Sequence, residues 1–273
     1  MVSIRRSDAR VALGIAVSLL GLVAAPRSAH GNERHFTYTY ESAVLPRNAR
    51  EIEVSTTSRT GRDAFFVQFD ERAELEVGVS DRLLSAFYLN LSAVNEETAP
   101  DVRQSELEFE GISSEWKCKL RDPVADGLGV AIYGEGSVGP SESEVEAKLI
   151  LDRQAGKVLL AANLVGAQEW GYAQAPTETE QEAELDLAAA WFFRPGFSAG
   201  LEVRNHNAFH DGEWEHSALF AGPVLAYGAE GWWVAATILP QLPALRKEEE
   251  GGDSRVLDDL EKVDARVIVS FHL

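Results

Sequence analysis

Cysteine, methionine and positive charge are all scarce in this 273-residue chain. It has one cysteine, Cys118, and one methionine. A single thiol excludes an intramolecular disulfide framework and any multi-cysteine metal site. The plain reading of Cys118 is a partly buried thiol. Lys and Arg number 25 against 44 Asp and Glu, a net charge of −19. That balance repels a phosphate backbone and argues against nucleic acid as a partner. No glycine-rich phosphate loop follows a strand pattern, and no cofactor is called for. Past the N-terminus no stretch approaches roughly 18 uninterrupted apolar residues, the length a membrane-crossing helix needs. Yet 45% of the chain is hydrophobic and 9% aromatic, too much for a disordered composition.

The N-terminus reads as a secretory signal over residues 1–31. Arg5, Arg6 and Arg10 form a positive start, Val11 to Ala25 an apolar run, and Ala29-His30-Gly31 a small-x-small cleavage site. Export would begin the mature chain at Asn32, with 21 basic and 43 acidic residues left.

The mature chain shows period-two alternation rather than helical periods. Twelve strands are expected, near 50–57, 67–78, 82–92, 104–120, 127–136, 142–152, 157–170, 180–194, 197–206, 216–228, 231–242 and 262–273. Short links, such as Val79-Ser80-Asp81 and Pro195-Gly196, alternate with longer polar ones. The longer set includes Ala93–Arg103, Asn207–Glu215 and Pro243–Glu261. A meander with its short turns at one end is the plan of an outer-membrane barrel, and an even strand count puts both termini at that end. Residues 32–49 stand before the barrel, as a periplasmic lead-in, a lumen plug or an extra strand around Phe36–Tyr40.

The strand faces agree. Leu185, Leu187, Ala189, Trp191 and Phe193 share one parity against Glu184 and Asp186. Val263, Ala265, Val267, Val269 and Phe271 oppose Asp264, Arg266 and His272. A soluble sandwich or ligand-binding barrel alternates too, with the apolar face inward. Aromatics gathered at both strand ends, strands of ten or more residues, and a final amphipathic strand with Phe271 near its end favour lipid outside and water inside. Such a C-terminal strand is the element read by barrel-assembly machinery. The expected fold is therefore all-β: a closed antiparallel up-and-down transmembrane barrel over residues 50–273. A bulge is expected near Gly111, where strand parity reverses, and a local break at Pro223. Glu71 falls on the lipid parity.

Tyr38-Thr-Tyr-Glu41, Leu45-Pro46, Glu51-Ile-Glu53, Arg59-Thr-Gly-Arg62, Phe69-Asp-Glu-Arg72, Val79-Ser-Asp-Arg-Leu83 and Ala86-Phe-Tyr-Leu-Asn90 stand in order along residues 36–92. Together they resemble an uncharacterised family of Gram-negative outer-membrane barrels described as porin- or transporter-like. The resemblance implies the barrel and its membrane. Its motifs describe strands and turns, and it supplies no catalytic or binding residue.

Function is then sought in the inward charge. Asp70, Arg72, Glu74, Glu76, Glu106, Glu108, Glu144, Glu146, Lys148, Glu184, Asp186, Arg204 and Arg266 take the inward parity. A wet bore with excess carboxylate focuses negative potential and passes small hydrophilic cationic or neutral solutes. The alternative is a lumen packed with Arg–Glu networks. The stretch 205–216 carries His206, His210 and His216, candidates for zinc or copper, against a plain solvated loop. Ser217 beside His216 is the one pairing that hints at a hydrolase. Neighbouring strand residues point to opposite faces, so no enzyme is expected.

Overall fold

The computed structural model describes residues 33–99, 102–172, 178–210, 212–247 and 252–273. The expected signal sequence lies outside the described residues. Twelve strands follow one another: β1 (Arg50–Thr60), β2 (Phe66–Ser80), β3 (Leu83–Ala99), β4 (Val102–Arg121), β5 (Gly129–Val138), β6 (Glu142–Ala155), β7 (Val158–Gly171), β8 (Glu178–Arg194), β9 (Phe197–His210), β10 (Glu213–Ala229), β11 (Trp232–Arg246) and β12 (Val263–His272). Each pairs antiparallel with its neighbours in sequence. β1 also pairs β12, from Glu51↔His272 to Thr60↔Val263. The sheet thus closes into an up-and-down barrel without a free edge, and both ends of the strand array lie at the short-turn end.

Alternation sorts the side chains as the sequence implied. On β7, Val158, Leu160 and Leu164 are exposed outward, while Leu159, Ala161, Asn163 and Val165 are buried inward. The outer belt continues through Ile52, Val54, Leu75, Phe87, Leu89, Leu149, Leu187, Leu201, Leu225, Ile238 and Val267, all exposed. At the short-turn end a run of outward rings, Trp191–Phe193–Phe197–Tyr227–Trp232, links centroids 6.2, 6.0, 4.3 and 5.4 Å apart. Trp170, Tyr172 and Trp214 are exposed near the other end. Glu71 does face outward, and the Thr56 hydroxyl on the adjacent strand donates to its carboxylate at 2.8 Å.

Three details refine the sequence reading. The pairing of β3 with β4 shifts between Asn90 and Leu91, opposite Gly111. Gly111 has φ +137°, and an added Cβ would stand 2.3 Å from the Val138 carbonyl oxygen. Only glycine fits such a bulge. Around Pro223, β10 and β11 lose bridges between Phe220↔Gln241 and Val224↔Thr237, while the β9 side stays paired. Proline has no N–H to offer the ladder. The third detail is a correction to the expected loops Ala93–Arg103 and Asn207–Glu215: their described residues 93–99, 102–103, 207–210 and 213–215 are strand. β3 runs to Ala99, β9 to His210, and β10 starts at Glu213. Polar composition marked water around these hairpins, not the end of pairing.

The inner wall differs from the expectation of uniform charge. Towards the short-turn end it is lined by Leu84, Ala86, Ala131, Ile150, Leu159, Ala161, Ala188, Ala190, Val224, Ala226 and Ala235, all buried. Most are small, and the room they leave is filled by residues 33–49. This lead-in forms no strand and lies inside the barrel. Phe36 is fully buried against Leu159, Ala161, Ala188, Ala190 and Val224. Val44 and Leu45 pack on Leu84, Ala86 and Tyr88. Burying one such side chain stabilises the docked lead-in by about 1.5–3 kcal/mol. From the opposite end the β11–β12 connection dips inward: Val256 packs with Tyr38, Ala218, Phe220 and Leu239. Gln241 clamps it, its side chain donating to the Val256 carbonyl at 2.9 Å and accepting from the Val256 N–H at 2.7 Å.

Candidate functional site

An extended segment inside a barrel must satisfy its own backbone, because no strand pairs with it. Three inward side chains of the wall do this. The Glu202 carboxylate on β9 accepts the N–H groups of Thr37, Tyr38 and Thr39 at 2.9–3.2 Å and the Thr37 hydroxyl at 3.0 Å. Asn163 on β7 accepts from the Tyr40 N–H at 2.6 Å and donates to the Tyr40 carbonyl at 3.0 Å. Asp152 on β6 accepts from the Ser42 N–H at 2.8 Å. The chain then crosses β2 at Gly78, which exchanges backbone bonds with Asn48 and Ala49 at 2.8 and 3.0 Å. An added Cβ on Gly78 would sit 2.0 Å from the Pro46 carbonyl oxygen.

Above this floor the lumen holds a polar cavity of about 470 Å³, with Arg34, Tyr38 and Tyr40 of the lead-in at its base. Its basic groups are tied to rings and carboxylates. Arg204 reaches Glu184 at 2.6 Å, Asp264 at 3.4 Å and Asp186 at 3.8 Å, and lies over the Tyr38 ring at 4.1 Å. Arg266 covers the same ring at 3.8 Å. Lys148 pairs with Glu146 at 2.9 Å and faces Tyr40 at 4.7 Å. Arg72 meets Glu135 at 3.5 Å, Arg59 meets Asp70 at 2.9 Å, and Arg34 meets Glu53 at 3.6 Å. Across from the arginines of β1, β2 and β12, the β6–β8 wall presents Glu142, Glu144, Glu169 and Glu182. Among the described residues Glu142, Glu144 and Glu169 have no basic partner at ion-pair distance. The cavity therefore holds unpaired carboxyl groups on one side and ion-paired ones on the other.

Most of the sequence candidates converge here. Asp70, Arg72, Glu74, Glu144, Glu146, Lys148, Glu184, Asp186, Arg204 and Arg266 all line the cavity. Glu76 does not: it lies with Glu53 and Glu74 in a buried carboxylate cluster within 4.8 Å, two residues from the Gly78 crossing. Glu106 and Glu108 are exposed on the β3–β4 hairpin, beyond Ile112, where β4 has outrun its β5 partner. They take the inward parity but stand above the wall.

The histidines also move. His206 and His216 are buried on the wall, and only His210 lies at the hairpin tip, so the stretch is no solvated loop. Ser217 Oγ accepts from Asn205 Nδ2 at 2.9 Å rather than meeting the His216 ring. The lead-in receptors Glu202, Asn163 and Asp152 escaped sequence reasoning. Glu202 shares the inward parity of Arg204 and His206 but looks like one more wall charge until its partner segment is placed.

The shape has known counterparts. The COG4313 outer membrane channel from Pseudomonas putida F1 superposes with TM-score 0.59 at 13% identity, over 87% of this chain and 100% of that one. The NanC porin gives 0.54 at 12%, over 81% and 100%. The β domain of the Bordetella autotransporter BrkA gives 0.50 at 13%, over 82% and 99%. At such identities the likeness is one of fold, and the counterparts are outer-membrane barrels. No curated protein matches the sequence. The sequence match is to a family of unknown function, DUF6662, over residues 28–273 rather than the N-terminal third alone, and the chain belongs to that family.

Proposed function

We propose that the mature chain is an outer-membrane channel of a Gram-negative cell, exported by its N-terminal signal, that passes small hydrophilic cationic or neutral solutes when residues 33–49 leave the lumen. The observation that carries this reading is the pairing of an apolar, ring-bordered outer belt with a carboxylate-rich inner cavity floored by residues 33–49, which belong to no strand. Lipid accounts for the belt and for closure, since an open edge would leave backbone groups unpaired in hydrocarbon. Excess carboxylate on the β6–β8 wall raises local cation concentration and rejects anions. β12, paired on both sides, is the strand on which assembly machinery would act.

A second reading has its own support. The lead-in is well satisfied by Glu202, Asn163 and Asp152, as suits a barrel that stays shut and serves a structural role. Planar-bilayer recording of the full mature chain beside a chain lacking residues 33–49 separates the two. The channel reading expects rare openings in the first and steady, cation-selective conductance in the second. Silence from both, with folding shown by heat-modifiable migration, refutes it in favour of the structural barrel.

A further inference from the structure

The β9–β10 hairpin carries a feature the channel reading does not use. The β9–β10 register shifts between Trp214 and His216, so Glu215 is an extra residue. Past this bulge His216 keeps the inward parity of Ala218 and Phe220 and pairs with Ala208 in the register of the strand body, and its ring lies beside that of His206, with centroids 5.4 Å apart. His206 Nδ1 lies 2.9 Å from Glu184 Oε1 and 3.9 Å from Glu182 Oε2. One ligand atom from each of Glu182, Glu184 and His206 falls within 4.8 Å of the others. His216 is only 5% exposed, and among the described residues its Nε2 has no hydrogen-bond partner. A buried polar nitrogen left unmatched costs about 1–3 kcal/mol, so its persistence beside a three-ligand cluster calls for a ligand.

We propose that Glu182, Glu184, His206 and His216 form a binding site for one divalent transition-metal ion of the zinc or copper class. Imidazole with carboxylate donors suits that class, whereas calcium and magnesium prefer all-oxygen sets. Arg204 holds Glu184 at 2.6 Å, which fixes that carboxylate and limits its donation. Glu182 and the two imidazoles therefore take the ion first, and the site is of moderate affinity. Access is open from two sides. Glu182 and Glu184 line the central cavity, and His216 lines a second cavity of about 300 Å³ under the β11–β12 connection.

The test titrates the full mature chain, folded in detergent, with Zn²⁺ by calorimetry and with Co²⁺ by visible absorption, in millimolar Mg²⁺. One Zn²⁺ per chain that Mg²⁺ does not displace, with Co²⁺ bands of nitrogen ligation, is the expected result. His206→Asn and His216→Asn should each weaken binding at least about tenfold, since each removes one imidazole donor. Heat-modifiable migration shows that the variants still fold. Absence of binding in folded wild type, displacement by Mg²⁺, or unchanged affinity in both variants overturns the proposal. None of these outcomes bears on conductance, so the site and the channel stand or fall separately.

Discussion

Glu202→Ala is the most informative single change in the molecule. Glu202 is fully buried and accepts three consecutive lead-in N–H groups and one hydroxyl. Removing it leaves those donors without their acceptor. Each hydrogen bond to a charged group contributes about 1.5–3 kcal/mol. With part of the loss made good by water entering the vacated space, the docked lead-in is weakened by roughly 4 kcal/mol. That is about a thousandfold in the ratio of docked to released chain. The barrel wall keeps its strand pairing, because Glu202 serves the ladder through its backbone. In planar bilayers, then, Glu202→Ala should open far more often than wild type, with openings the size of those seen without residues 33–49. Glu202→Gln, which keeps an acceptor oxygen, should fall between. If folded Glu202→Ala matches wild type in both opening frequency and conductance, the carboxylate does not hold the lead-in and the reasoning fails.

Four further outcomes follow from the same geometry. Replacing Glu144 and Glu182 with Gln should reduce cation preference in the chain lacking residues 33–49, read as a smaller reversal potential under a salt gradient; an unchanged potential places these groups off the conduction path. Gly78→Ala should loosen the lead-in, because the new Cβ would meet the Pro46 carbonyl oxygen at 2.0 Å; faster proteolysis of residues 33–49 is the measurement, and wild-type rates would contradict the crossing. Leu164→Lys places a charge on the outward face of β7, where Leu164 is 60% exposed; if that face meets mid-bilayer lipid, folding into vesicles should be less favourable by about 2–4 kcal/mol, and a neutral effect would argue for water there.

The last outcome concerns pH. His35 Nδ1 lies 3.1 Å from Glu41 Oε1, both on the lead-in. Burial disfavours charge on each, but the pair outweighs it, raising His35 above its ordinary 6.5 and lowering Glu41 below its ordinary 4.5. The His35 contribution is complete below pH 6.5 and is lost as pH rises through its elevated value. The Glu41 contribution is complete above pH 4.5 and is lost as pH falls through its lowered value. Docking by this pair is therefore strongest between those limits. Its alkaline loosening should vanish in His35→Gln, measured as pH-dependent proteolysis of the lead-in.

What the residues announced by themselves was the repeating unit. Period-two alternation survives in sequence because each strand meets one medium outside and another inside, so strand count, meander order, the Gly111 bulge and the Pro223 break were all legible. Hairpin ends were not. Glu96, Glu97 and Glu106 are polar because the hairpin stands in water, and polar residues pair across strands as readily as loop residues do not. The inward parity of Glu184, Arg204 and Arg266 was legible too, but parity carries no height along the axis, and so Glu106, Glu108 and Glu76 were grouped with a cavity they do not reach. The lead-in needed the closed barrel. Residues 33–49 have no period of their own, and their receptors Asp152, Asn163 and Glu202 lie more than 100 positions away. The β9–β10 register brings His216 beside His206. Local pattern determines which face a side chain takes; only ring closure, setting the height and register of all twelve strands at once, determines what it meets there.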